Sequence, residues 1–172
     1  MSRELLLLRH GKSDWDTDTS DFERPLKKRG KKAAYCAGKW LLKQKLVPDL
    51  VISSPAVRAI RTARIACKTM RLKRSRILTE DHIYLAHPEE LIAVLHDCPE
   101  KARVMLVGHN PGLEDLMLYL IGGNVVMPDD GKLLPTATVA VLEMPDSWHE
   151  LGKGCARLLS LTRPTEMDQG KP

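Results

Sequence analysis

Two histidines each follow a short apolar run of the chain. His10 comes after Leu5–Leu8 and Arg9, and His109 comes after Val104–Val107 and Gly108. Because the pKa of histidine lies near neutrality, one imidazole can attack as a neutral nucleophile while a protonated one binds an oxygen. The pair therefore suggests a reaction in which one histidine is the nucleophile and the other binds an oxyanion.

Two arginines suit the same chemistry. A transferring phosphoryl group spreads negative charge over three oxygens, so it needs fixed positive groups and an in-line nucleophile. Arg9 and Arg58 offer planar guanidinium forks that match phosphate oxygens. We predict that His10, Arg9, Arg58 and His109 carry phosphoryl transfer. Three neighbours are further candidates for phosphate contacts: Lys12, Ser13 and Asn110.

Alternating apolar runs and helical periodicities must position these residues. The runs predict six strands, at residues 3–8, 50–53, 76–79, 104–107, 136–142 and 156–161. The periodicities predict helices around 33–41, 55–72, 88–96 and 111–121, after a long loop from residue 11 to about 28. This order predicts an α/β fold, a three-layer α/β/α sandwich around a mostly parallel sheet whose last two strands are antiparallel neighbours.

The carboxyl ends of parallel strands share one edge of a sheet, where ligands bind. Arg9-His10, Ser53-Ser54-Pro55 and His109-Asn110 all stand at predicted strand ends. Ser54-Pro55 and Asn110-Pro111 also have the pattern of a helix cap followed by proline, so helix N-terminal amides are expected there. We predict one shared phosphate site.

Length and composition set the class of protein. The 172 residues, 43% hydrophobic with net charge +5, predict one domain over residues 1–162 and a loose tail over 163–172. Without a signal peptide or membrane span in the pattern, a soluble cytoplasmic protein with reduced cysteines is expected. Basic clusters at 27–32 and 71–76 are interpreted as solvated surface. No metal-ligand spacing is found, and no cofactor is expected.

Three sequence blocks resemble a known family. Residues 8–13, L-R-H-G-K-S, are similar to the R-H-G signature of the histidine phosphatase superfamily, which includes the phosphoglycerate mutases. Residues 53–63 resemble its S-P-x-x-R-A-x-x-T-A block, and residues 107–110 its second histidine block. The resemblance implies a phosphoglycerate mutase-like sheet with one antiparallel strand. It also implies that His10 becomes phosphorylated while Arg9, Arg58 and His109 bind the phosphate.

The loop from Asp21 to Gly30 looks most like that of the SixA-type phosphohistidine phosphatases. Ester-cleaving members of the superfamily carry an acid that protonates the leaving oxygen, and the candidates here are Glu80 and Asp81, while Leu85 stands where the acid is expected. An alkoxide has a conjugate-acid pKa of about 15, so its release needs a proton donor, whereas imidazole, at about 6.5, does not. The sequence therefore favours phosphohistidine on another protein as the substrate.

Two alternatives remain at this stage. The protein could be a phosphomonoesterase or mutase for a small phosphate ester, with Glu80 or Asp81 as the acid. It could also bind phosphoprotein or RNA through its basic surface without catalysis. The intact set of His10, Arg9, Arg58 and His109 argues against the second alternative, since binding alone needs no nucleophile, and we expect neither a nucleic-acid nor a membrane partner.

Overall fold

The computed structural model describes residues 2–167 of the chain. Its six strands form one sheet: β1 is Arg3–Arg9, β2 Leu50–Ser53, β3 Ile77–Thr79, β4 Arg103–Gly108, β5 Val139–Met144 and β6 Arg157–Thr162. The strand order is β3-β2-β4-β1-β5-β6. Only β5 runs antiparallel to its neighbours β1 and β6. The predicted, mostly parallel sheet with one antiparallel strand is confirmed.

Helices cover both faces of the sheet. They are α1 at Lys28–Lys43, α2 at Val57–Thr69, α3 at Pro88–His96, α4 at Gly112–Leu120 and the short α5 at Pro164–Met167, with single 3₁₀ turns at Arg74–Arg76 and Asp81–Ile83. Helices α1 and α2 pack together on one face, and α3 and α4 pack together on the other. The predicted three-layer sandwich is confirmed.

The apolar run in β1 is continuous because this central strand is buried on both faces. Leu5 and Leu7 point into the core under α3 and α4, while Leu6 and Leu8 point into the core under α1 and α2. All four side chains are fully buried. Each contributes about 1.5–3 kcal/mol of burial free energy, so β1 anchors the edge at which Arg9 and His10 emerge.

Both predicted helix caps are wrong. Helix α2 begins at Val57 and α4 at Gly112, and neither Ser54 nor Asn110 caps a helix. The Ser54 hydroxyl instead accepts from the Ala56 amide, and Ala56 remains extended, with ψ of 138°. The first amide of α2 is therefore not available for the predicted anion site, since the Val57 N–H donates to the Phe22 carbonyl.

The ends of two other predicted segments also need correction. Helix α2 stops at Thr69 rather than Leu72, because Arg71 adopts a positive φ of 63° and the Leu72 amide turns back to the Cys67 carbonyl. The predicted loose tail over 163–172 is wrong at its start. Pro164–Met167 is helical, and Met167 is buried in the core under α1 and α2. The rest of that tail, 168–172, lies outside the described residues.

Within residues 2–167, no helix combines the length and apolar character needed to cross a lipid bilayer.

Candidate active site

The ends of β1 and β4 open into one cavity of about 460 Å³. Arg9 is the last residue of β1 and His10 follows it; His109 follows Gly108, the last residue of β4. Arg58, the second residue of α2, reaches the same space. The ring centroids of His10 and His109 lie 5.2 Å apart. The structure thus brings together the four residues that the sequence pattern placed at separate strand ends.

The cavity is polar at its floor and partly apolar at its rim. Its lining consists of Arg9, His10, Lys12, Ser13, Trp15, Asp21, Arg24, Arg58, Tyr84, Leu85, His109, Asn110 and Thr136.

His10 is held in one tautomer. Its Nδ1 lies 2.7 Å from the Gly11 carbonyl oxygen, and because a carbonyl only accepts, Nδ1 carries the proton. The lone pair is therefore on Nε2, as expected for an attacking imidazole. Burial, with further contributions from Arg58 and Arg9, lowers the pKa of His10 to about 4. His10 is thus neutral and nucleophilic at pH 7.

His109 is also neutral, which differs from the protonated second imidazole that we predicted. Its Nε2 lies 2.8 Å from the Ser54 hydroxyl, while its buried Nδ1 has no hydrogen-bond partner in the described part of the chain. Burial, followed by the effects of His10 and Arg58, lowers its pKa to about 3. The cationic surroundings disfavour a second charge on the ring. A phosphoryl group would bring negative charge beside it and raise this pKa.

The two guanidinium groups are anchored but not saturated. Arg58 donates from Nη1 to the Asp21 carbonyl at 2.5 Å and from Nη2 to the Asp21 carboxylate at 3.1 Å. Arg9 donates from Nη1 to the Leu134 carbonyl at 3.1 Å. The Nε of both arginines is buried without a partner within residues 2–167. Each fork keeps N–H groups for an oxyanion.

Asp21 organises one wall of the cavity. Its carboxylate accepts hydrogen bonds from Arg24 at 2.7 Å, from Arg58 at 3.1 Å and from the Tyr84 hydroxyl at 2.5 Å. The Tyr84 hydroxyl, together with Arg24 and Arg58, holds the pKa of Asp21 well below its ordinary value. Asp21 is therefore ionised, and it fixes Arg58 in place rather than offering a proton.

Aromatic side chains extend this wall. The Arg24 guanidinium lies 3.7 Å above the centre of a Trp15 ring, and its Nε donates to the Ser13 hydroxyl at 2.9 Å. Tyr84 meets Phe22 and His109 edge-on, with ring centroids 5.1 and 5.6 Å apart. These contacts order the loop between β1 and α1 against the residues that follow β3.

Sequence reasoning missed most of this wall. From the sequence, Asp21 and Arg24 were noted only as part of a loop that resembles one family, and Ser54 was noted only as a predicted helix cap. The i, i+3 spacing of Asp21 and Arg24 is a signal for an ion pair, which the structure contains. Nothing local in the sequence connects either residue to Tyr84.

The first and second sequence blocks are joined through Thr62. Its hydroxyl accepts from the Gly11 amide at 3.0 Å and donates to the Arg58 carbonyl at 2.7 Å. Gly11 is needed because a Cβ there would lie 2.6 Å from the Gly30 carbonyl oxygen. These contacts set the position of the loop that leaves His10.

The further candidates have different outcomes. Lys12 and Ser13 line the cavity, with the Ser13 hydroxyl already accepting from Arg24. Asn110 also lines it, but its amide nitrogen donates to the Leu134 carbonyl at 2.8 Å and to Glu114 at 3.2 Å. Both Asn110 amide hydrogens are thus used within the protein, so this side chain offers phosphate no donor.

The structure does not bring Glu80 or Asp81 to the cavity. The Glu80 carboxylate binds His82 instead, at 2.6 Å from its Nδ1 and 3.1 Å from its amide nitrogen. Leu85, which stands at the position expected for the acid, does line the cavity and is 69% exposed. Asp21 is the one carboxylate among the described lining residues.

No group of three or more histidine, cysteine or acidic side chains within residues 2–167 is arranged to hold a metal ion.

Comparison with known proteins agrees with this geometry. A sequence profile of the histidine phosphatase superfamily, branch 1, matches residues 5–82, which include the first two sequence blocks. An uncharacterized protein of Mycobacterium tuberculosis is 29% identical over 162 residues, covering 91% of this chain and 99% of that protein.

Solved structures extend the similarity over the whole fold. A crystal structure assigned as the phosphohistidine phosphatase SixA of Agrobacterium tumefaciens superposes with a TM-score of 0.78 at 26% identity, covering 95% of this chain and 99% of that one. A protein histidine phosphatase SixA complexed with tungstate superposes with a TM-score of 0.79 at 22% identity, covering 94% and 97%. The profile match and the shared fold, together with two imidazoles and two guanidinium groups in one cavity, show that the chain belongs to the histidine phosphatase superfamily and is a phosphatase with a SixA-like fold.

Proposed function

We propose that this phosphatase removes the phosphoryl group from a histidine of another protein, through a phosphohistidine intermediate on His10. The observation that carries the proposal is the composition of the cavity. Its described lining residues include one oriented nucleophile and three groups suited to phosphate oxygens, but no carboxyl able to protonate a leaving group.

In the first step, Nε2 of His10 attacks phosphorus in line with the P–N bond of the substrate. Solvent has already protonated the other ring nitrogen of the substrate, so that imidazole leaves as a neutral group with the electron pair of the broken bond. The phosphorylated His10 keeps the proton on Nδ1, bonded to the Gly11 carbonyl. Arg9, Arg58 and His109 bind the equatorial oxygens as charge develops.

In the second step, water attacks phosphorus from the opposite side, and one of its protons passes to a phosphate oxygen, so that the product is inorganic phosphate. The P–Nε2 bond breaks, its electron pair returns to Nε2, and His10 is released as the same neutral tautomer that began the cycle. The hydrogen bond from Nδ1 to the Gly11 carbonyl thus serves both steps. It keeps the proton on Nδ1, so that Nε2 can attack in the first step and act as the leaving group in the second. Neither step calls for a metal, since guanidinium groups supply the positive charge.

Phosphate esters are disfavoured as substrates because their release needs an acid. Asp21 is ionised and bound to three donors. The Tyr84 hydroxyl donates a hydrogen bond to Asp21. This bond raises the pKa of Tyr84, so the hydroxyl keeps its proton. Glu80 binds His82, away from the cavity.

Exposed apolar side chains at the rim of the cavity support the proposal that the phosphorylated partner is a protein. Trp15 and Leu85 line the cavity and are 70% and 69% exposed, and Phe22, which packs against Tyr84, is 38% exposed. Large apolar side chains at the mouth of a polar cavity fit a partner surface better than a small anion. The solved SixA described as a protein histidine phosphatase has the same fold. Four widely spaced cysteines fit the reducing cytoplasm as the compartment.

The test compares leaving groups. We expect kcat/KM for a phosphohistidine peptide to exceed that for glycerol phosphate by about 10³-fold or more, the scale of a missing general acid. His10→Ala should abolish turnover. Rapid acid-free quenching with labelled substrate should trap phosphate on His10. The matched control is His82→Ala, which removes a histidine outside the cavity and should keep full activity.

Equal turnover of glycerol phosphate would contradict the proposal, above all if Glu80→Gln removed that activity alone. Label on a residue other than His10 would contradict the mechanism.

A further inference from the structure

A second concave surface lies beside α2, away from the catalytic cavity. It encloses about 570 Å³ between the exposed side of α2 and the turn that leads into β3. We call this surface the basic groove. Its rim carries six exposed cationic side chains: Arg61, Arg64, Lys68, Arg71, Lys73 and Arg74.

The spacing of these residues places them in one row. Arg61, Arg64 and Lys68 recur at i, i+3 and i+7 on α2, so they project from the same side of the helix. Arg71 and Arg74 continue the row just after the helix ends. At a rise of about 1.5 Å per residue, the helical part of the groove starts one turn from Arg58 and runs away from the cavity.

The charge of the groove is not balanced within residues 2–167. None of the described lining residues is acidic, and the ion pairs of this part of the chain include none of the six cations. Burial together with the proximity of Arg74 and Arg61 lowers the pKa of Arg64, as crowding of like charges requires. An anionic partner would relieve this repulsion.

The floor of the groove indicates the chemistry of the partner. Ile65, Leu72 and Ile77 form it, and none of the described lining residues is aromatic. Single-stranded nucleic acids are usually held by aromatic side chains that stack on bases, which this surface lacks. A polypeptide that alternates acidic and apolar side chains would pair with the rim and cover the floor.

We propose that the basic groove docks an acidic, partly apolar segment of the phosphorylated protein whose phosphohistidine enters the cavity. This inference rests on the proposed function. Because Arg58 and Arg61, the first residue of the row, belong to one helix, docking would begin within a helical turn of the phosphate site. The groove would then act on KM, leaving the chemical step to the cavity.

The test uses two synthetic peptides with the same central phosphohistidine. One is extended on both sides by alternating Glu and Leu, and the other by alternating Gln and Leu. We expect the wild-type KM to be about tenfold lower for the acidic peptide, with similar kcat, the scale of several exposed ion pairs together. The variant Arg64→Gln/Lys68→Gln/Arg74→Gln should lose this preference and keep kcat.

The matched control is Lys31→Gln/Lys32→Gln/Lys39→Gln. It removes the same number of positive charges from exposed positions on α1, outside both the cavity and the basic groove, so only a local effect distinguishes the two variants. Equal loss of preference in both variants would overturn the proposal, as would no preference in the wild type. Thermal unfolding of both variants checks that the fold is kept.

Binding separates this proposal from the proposed function. Fluorescence anisotropy with an unphosphorylated, labelled Glu-Leu peptide measures the groove without catalysis. Peptide binding that is lost only in the groove variant would support the groove even if no phosphohistidine were turned over, an outcome that would contradict the catalytic proposal alone. Tighter binding of a single-stranded RNA probe than of the acidic peptide would overturn the assignment of a polypeptide partner.

Discussion

At the scale of single residues, Asp21 has a larger part in the cavity than its place in a polar loop suggests. One carboxylate holds Arg24, Arg58 and Tyr84, which come from three separate parts of the chain. In the proposed mechanism it is a positioning residue, since it acts on phosphate only through Arg58. It also places one negative charge beside a cationic cavity, so it lowers phosphate affinity while it orders the site.

These two effects of Asp21 have opposite signs and can be separated. We predict that Asp21→Ala lowers kcat by about tenfold, because Arg58 loses part of its anchor and small displacements are costly for catalysis. The inhibition constant of inorganic phosphate should fall or stay unchanged, since a repelling charge is removed. Asp21→Asn should restore part of kcat.

Asp18→Ala, an exposed change in the same loop, is the control and should leave both quantities unchanged. A weaker inhibition by phosphate in Asp21→Ala would show general disorder of the site and contradict the positioning role.

At the scale of elements, α2 connects the catalytic loop to the sheet. Its Thr62 hydroxyl bridges the Gly11 amide and the Arg58 carbonyl, and the Val57 amide at its start binds the Phe22 carbonyl. The same helix therefore carries Arg58, fixes the backbone after His10 and contacts the loop that contains Asp21. The position of α2 therefore affects Arg58, the loop after His10 and the Asp21 loop together.

Two threonines on α2 allow this bridging to be tested. The hydroxyls of Thr62 and Thr69 each donate to the carbonyl four residues earlier, but only Thr62 also accepts from another segment. We predict that Thr62→Val destabilises the protein by about 1–3 kcal/mol, because the buried Gly11 amide loses its partner. Thr69→Val should change stability by about 0.5 kcal/mol or less.

Urea unfolding measures both variants, and kcat/KM should fall about tenfold for Thr62→Val alone as the loop after His10 moves. Equal stability of the two variants would contradict the bridging role.

At the scale of the whole molecule, the site makes stability depend on pH. Both His10 and His109 have a pKa that burial lowers, to about 4 and about 3, from 6.5 in an unfolded chain. At pH values between the folded and the unfolded pKa, the unfolded state binds more protons than the folded state. The stability that the two neutral imidazoles contribute is therefore fully present above pH 6.5 and is lost as the pH falls. His82, whose pKa Glu80 raises, acts in the opposite direction, but its side chain is 76% exposed and screened.

We predict that the free energy of unfolding falls between pH 7 and pH 5 by about 2 kcal/mol for each buried imidazole. Urea unfolding at several pH values should show this slope, and His10→Gln should remove about half of it. His82→Gln is the control, and it should leave the slope unchanged or make it slightly steeper. A slope that is the same in His10→Gln and in the wild type would contradict the lowered pKa of His10.

The sequence by itself determined the sheet, its parallel order and the four residues at its edge. Period and run length are local properties, and parallel strands must bring their carboxyl ends to one side, so Arg9, His10, Arg58 and His109 could be placed together before any coordinates. The departure at Leu85 was also visible, because it concerns the residue type at one position.

Only the tertiary structure decided how these groups are paired. Asp21 and Tyr84 are 63 residues apart and meet through the packing of two loops. The neutrality of His109 depends on burial and on charges from other segments, and the diversion of Glu80 to His82 depends on a 3₁₀ turn. Charge state and hydrogen-bond partners arise from contacts across the fold, so no pattern along the chain could predict them.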